Sequence, residues 1–162
     1  MTNKELYIVK LIKGDSTRYL LYISDEIDTY MMDGDQELLV FDSILKLRSY
    51  CAEKALLVED GLSVITCPQE AVCASNIDEA QLLNFWNFCT DIVNSVGDSF
   101  LGDKREEKID LVYTKMFAGN NTPAIKGDAE EYHPQWNDDE MRVINEVLLD
   151  GMRLINRYVK FT

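Results

Sequence analysis

Residues 6–24 read LYIVKLIK-GDS-TRYLLYIS. Two apolar runs rich in Ile, Val, Leu and Tyr flank Gly14, Asp15 and Ser16. β-Branched and aromatic runs on either side of a Gly/Asp/Ser turn predict two antiparallel strands closed by a short loop. This hairpin decides the fold class, because the second half of the chain carries a different periodicity.

Residues 37–41 (ELLVF) form a third strand candidate, entered through Asp33-Gly34, a turn signature. From Asp42 onward, Ile44, Leu47, Cys51 and Ala55 recur at helical spacing. Residues 56–58 and 62–66 flank Glu59-Asp60-Gly61 and predict a second hairpin. Three helices then follow, each opened by a polar cap with Glu three residues on: Asn76 with Glu79, Asp103 with Glu106, Asn137 with Glu140. The first carries Leu82, Trp86, Cys89, Val93 and Val96 on one face, widened by Phe85, Phe88 and Ile92, and stops at Gly97. The second carries Ile109, Val112 and Met116 and ends at Gly119; a loop spans residues 120–135. The third repeats Met141, Ile144, Leu148, Gly151, Ile155 and Tyr158. The expected architecture is one α+β domain over residues 1–162: an N-terminal antiparallel sheet of two hairpins, then a packed helical half with three capped helices.

The chain has 162 residues, 46% hydrophobic and 10% aromatic, enough for a sizeable core. Its net charge of −13 disfavours nucleic acid and anionic membrane and favours a basic partner. Residues 55–103 contain no Lys or Arg, so no basic groove is visible. No basic and apolar leader follows Met1, and no apolar run is long enough to span a bilayer; the expectation is a cytoplasmic protein. Cys51, Cys67, Cys73 and Cys89 contain no Cys-x-x-Cys pair, have apolar neighbours and predict buried free thiols.

Motifs that chemistry requires are missing. There is no phosphate-binding Gly-x-x-x-x-Gly-Lys loop, no Gly-x-Ser-x-Gly elbow and no dinucleotide fingerprint. His133 stands alone before Pro134 and reads as a surface residue. A calcium loop fails on spacing. With Gly34 at the sixth position, Met31 and Val40 fall where oxygen ligands belong. The expectation is a protein with no catalytic residue, metal or cofactor.

What stands out is charge. Residues 24–42 hold Asp25, Glu26, Asp28, Asp33, Asp35, Glu37 and Asp42 and no base. Residues 128–141 hold Asp128, Glu130, Glu131, Asp138, Asp139 and Glu140. The last three suit the first turn of a helix, where acids are stabilising. The candidate partner-binding set is therefore Asp25, Glu26, Asp28, Tyr30, Met31, Asp33, Asp35 and Glu37, with Glu130, Glu131, Tyr132 and Trp136 from the second block. Trp136 has a competing reading as the staple that packs the loop onto the last helix.

With YLLYISDEI (residues 19–27) leading to LLVFDSILKLRSYC (residues 38–51), the chain resembles the immunity proteins of bacterial toxin–immunity systems, including those of contact-dependent growth inhibition. The resemblance covers the general layout: small, acidic, α+β, free of catalytic motifs. It implies neutralisation of a basic cognate toxin, with a nuclease the expected type. Two other readings stay open: a small enzyme or ligand-binding protein with an unrecognised carboxylate site, and an acidic adaptor subunit.

Overall fold

The computed structural model describes residues 4–126 and 134–161. β1 (Glu5–Lys13) and β2 (Ser16–Ser24) form the expected hairpin, paired from Lys13 opposite Ser16 to Glu5 opposite Ser24. Gly14 turns it with φ +60, a left-handed conformation open to glycine without a Cβ clash. β3 (Thr29–Tyr30) and β4 (Val40–Phe41) both pair with β2, on successive stretches of its length. Between them a small excursion is pinned by a Met32–Leu38 bridge.

The second hairpin does not form. Residues 56–58 lie outside the sheet, and β5 (Leu62–Thr66) runs parallel to β1 along its free edge. The sheet is therefore mixed, in the order β3-β2-β1-β5. α1 (Ile44–Glu53) carries the chain from β4 across to the β1 edge, which Glu59 N already meets by donating to Leu6 O. A parallel pairing needs such a crossover, whereas a hairpin needs two adjacent strands. Leu56 and Val58 pack under α1 instead. The α1 cap is Ser43, whose hydroxyl accepts from Lys46 N, rather than Asp42, which pairs with Lys46 Nζ.

Strand alternation splits the sheet into two apolar faces. Ile8 and Leu21 point to one, covered by Leu47 and Cys51 of α1. Val9, Leu11, Leu20 and Tyr30 point to the other, against α2 (Glu79–Val96). α2 is fully apolar on its inner surface: Phe85, Trp86, Phe88, Cys89 and Ile92 are all buried. α3 (Glu107–Lys126) and α4 (Asp138–Tyr158) pack around it. Apart from α1, which precedes β5, the strands come first and the packed helices follow, the α+β class read from the sequence.

Of the three caps, only the last is placed as expected. Asn137 Oδ1 accepts from Glu140 N at 2.8 Å, and Glu140 Oε1 accepts from Asn137 N at 3.0 Å, a reciprocal capping box. Replacing Asn137 by Ala should cost about 1 kcal/mol, seen as a lower denaturation midpoint with an unchanged slope. The α2 cap is Asp78, which accepts from Gln81 N, while Asn76 accepts from Cys73 N. Asp103 caps nothing. It closes one 3-10 turn (Leu101–Asp103) and accepts from the Thr90 hydroxyl at 2.6 Å. Gly119 is no stop either. α3 runs through it, and a Cβ there would lie 2.7 Å from Pro134 Cγ, so glycine serves a close approach.

Candidate functional site

The acidic stretch 24–42 divides into two parts with different surroundings. The tip between β3 and β4 is structurally employed. Asp33 Oδ1 accepts from the backbone N–H groups of Asp35 and Glu37, which ties the turn to itself. Glu37 pairs with Lys160 near the C-terminal end of α4 at 3.3 Å, and Asp42 pairs with Lys46 at 2.9 Å. Much of the charge here is answered locally. The β2–β3 loop is different. Asp25, Glu26 and Asp28 have no ion pair among the described residues. Asp28 instead stands near Tyr22, where its charge helps to raise the phenol, after burial.

The apolar members of the predicted set do not lie on that surface. Tyr30 is only 4% exposed and packs edge-on against Phe88 at 5.0 Å. It occupies the α2-facing side of the sheet, because it pairs with Tyr22, whose side chain points the same way. Met31, one residue on, turns to the opposite face and is half-buried near α1. Trp136 is likewise withdrawn: 9% exposed, its indole N–H donating to Glu79 Oε1, with Lys115 Nζ 4.9 Å from its ring. It is the staple rather than a rim residue. Glu130, Glu131 and Tyr132, like His133, lie outside the described residues.

The two blocks are not brought together in their described parts. Trp136 sits at Glu79, the first residue of α2. Asp28 is near enough to act on the charge of Asp91, about 18 Å further along that helix at 1.5 Å per residue.

Asp91 is the residue that sequence reasoning missed. It lies on α2 with Asn84, Asn87 and Phe88, at the i, i+3, i+4, i+7 spacing that places four side chains on one face. These line a cleft of about 240 Å³ between α2 and the sheet, closed on the other side by Val9, Tyr22, Tyr30, Ser63 and Ile65. The Asp91 carboxyl is pushed up to about 7, first by burial and then by the like charges of Asp28 and Asp103. No described side chain hydrogen-bonds to it. Burial also raises Tyr22 and Tyr30, Tyr30 well above the ordinary phenol range. The signal available in sequence was negative: a 49-residue span without Lys or Arg cannot supply Asp91 a cation from its own strand or helix.

Three of the four cysteines are buried free thiols, as expected; Cys73 is exposed instead. Ser75 Oγ lies 3.1 Å from its sulfur, a contact that lowers its pKa. Among the described residues no group of three or more His, Cys, Asp or Glu side chains is placed to hold a metal ion. No described helix is long and apolar enough to cross a membrane.

No protein-family model matches the chain, and no curated protein matches its sequence. Among solved structures it is similar to the SatS C-terminal domain, crystallised in complex with bromine. The TM-score is 0.55 at 13% identity, over 94% of this chain and 91% of that one. The likeness is one of fold. It supports the α+β architecture and carries no residue from one chain to the other.

Proposed function

We propose that this chain is a non-catalytic binding protein that neutralises a basic toxin in the cytoplasm, as the immunity partner of a toxin–immunity pair. One observation carries the reading. Asp25, Glu26 and Asp28 follow one another past the end of β2, near enough for Asp28 to act on Asp91, and none of the four has a cation among the described residues, whereas Asp98 and Asp150 at the other acidic cluster are answered by Arg153 and Arg157, and Glu140 by Lys115. Unanswered like charges repel, and a basic surface relieves that repulsion. An acidic face of this kind also accelerates encounter with a Lys- and Arg-rich partner, such as a nuclease whose site must hold phosphate.

The reading expects the gene beside this one to encode a toxin domain, and the test measures the association of that product with this chain. Changing Asp25→Asn, Glu26→Gln and Asp28→Asn together should slow association about tenfold at low salt and flatten the salt dependence. Asp33→Asn, Asp35→Asn and Glu37→Gln together should do less, since two of those acids are engaged within the turn or with Lys160. Unchanged association and salt slope in the first variant would overturn the reading.

A further inference from the structure

The cleft between α2 and the sheet holds two polar groups left without partners. Tyr30 is 96% withdrawn from solvent by its 4% exposure, yet its hydroxyl makes no hydrogen bond among the described residues. No fully enclosed side-chain nitrogen or oxygen lacks a partner in the described structure. The Tyr30 hydroxyl therefore opens into the cleft that its side chain lines. The Asp91 carboxylate lines the same cleft and is equally unpartnered. A half-buried carboxylate and a hydroxyl that reach only the water of the cleft are poorly solvated, and both can accept from a donor that enters it.

The rest of the lining narrows what that donor is. Tyr22, Tyr30 and Phe88 make a run of ring contacts, 5.5 and 5.0 Å between centroids; Tyr30 and Phe88 are buried behind, and Tyr22 is the partly open ring of the wall. Asn84 and Ser63 add exposed polar groups at the mouth, and Asn87 is anchored by the Tyr113 hydroxyl at 2.8 Å. Asp28 adds a second negative charge beside Tyr22 and close enough to act on Asp91. A neutral donor would leave that charge unanswered. A strongly hydrated ammonium gains little from flat rings. A guanidinium is planar, has five N–H donors in a fixed fork, stacks on aromatic faces and matches a carboxylate bidentately.

We infer that this cleft is the receptor for a single arginine side chain of the basic partner, with Asp91 and the Tyr30 hydroxyl accepting from its guanidinium beside the partly open ring of Tyr22. The inference rests on the partner reading above and adds the residue that the partner must present. Asp91→Asn removes the charge and keeps the shape; Tyr30→Phe removes one hydroxyl and keeps the core packing.

Backbone amide NMR of the full chain at pH 8, titrated with N-acetyl-arginine methylamide, tests it. Saturable shifts should centre on Ser63, Asn84, Asn87 and Asp91. Asp91→Asn should weaken the binding about tenfold or more, and Tyr30→Phe by a smaller factor. N-acetyl-lysine methylamide should bind more weakly, and the neutral N-acetyl-glutamine methylamide should give no saturable shift. Absent or scattered shifts, shifts indifferent to Asp91→Asn, or tighter binding of the lysine probe would each overturn the assignment. The loop variant separates the two readings. If it impairs toxin binding while the cleft takes no arginine probe, the cleft inference falls and the partner reading stands. If the probe binds and the loop variant is silent, the reverse holds.

Discussion

Gly151→Ala should destabilise the protein by about 1–2 kcal/mol, although the same change in an ordinary helix interior gains about 0.5–1 kcal/mol. Gly151 lies well inside α4, where glycine is a poor helix former. Its value is in what it lets approach. A Cβ at this position would stand 2.7 Å from Phe85 Cε1 and 2.9 Å from Cys89 Sγ. Both are fully buried side chains on α2, held on their far side by the sheet and by the rest of the core. Neither can swing away as a flexible surface chain would. The added methyl must therefore push α4 off α2 or force a side chain out of its rotamer. Gly151→Val adds two further carbons at the same spot, and about 3 kcal/mol or more is expected. Urea denaturation would show the loss as a lower midpoint at constant slope. The double variant Gly151→Ala/Phe85→Leu should lose less than the sum of the single changes, because the ring atom that blocks the methyl is gone. Additive losses would mean that the two helices are not in the close contact described.

The same pair of helices shows what could be read from sequence and what could not. The apolar stripes on α2 and α4, the Gly97 stop and the Asn137–Glu140 box are local patterns, and each is where its pattern placed it. Gly151 was visible only as a member of the α4 stripe. That it faces Phe85 is a tertiary fact without a local signal. The failures share this cause. Residues 62–66 have strand character, but strand character does not name a partner; α1 delivers the segment to the parallel edge of β1. Asp103 has the cap pattern, yet Thr90, thirteen residues earlier on α2, claims its carboxylate. Tyr30, sitting among acids, reads as a surface aromatic until its pairing with Tyr22 turns it toward Phe88. Asp91 was hidden in the most apolar helix of the chain. Its meaning depends on Asp28, which is sixty-three residues away in sequence.

Asp91→Asn should stabilise the protein at pH 8 and leave it unchanged at pH 4. The sign follows from the raised carboxyl. An unfolded Asp ionises near 3.8, whereas the folded Asp91 holds its proton to about 7. Between those values the native state binds a proton that the unfolded state has lost. Stability therefore falls as pH rises from 4 to 7 and is flat above. Asn carries no such penalty. The full shift would correspond to about 4 kcal/mol, but the cleft is open to water, and screening reduces the expected gain to about 1–2 kcal/mol. Melting curves should show several degrees of gain for Asp91→Asn at pH 8 and coincidence at pH 4. An equal gain at both pH values would trace the effect to packing, and no gain at either would mean that Asp91 is as well hydrated as a surface carboxylate. A charge held at such a cost in a site with no internal partner is the kind of instability that function retains. If that function is to receive a cation, the penalty is relieved on binding. N-acetyl-arginine methylamide should then raise the melting temperature of the native chain at pH 8, have little effect on it at pH 4, and have little effect on Asp91→Asn at either pH.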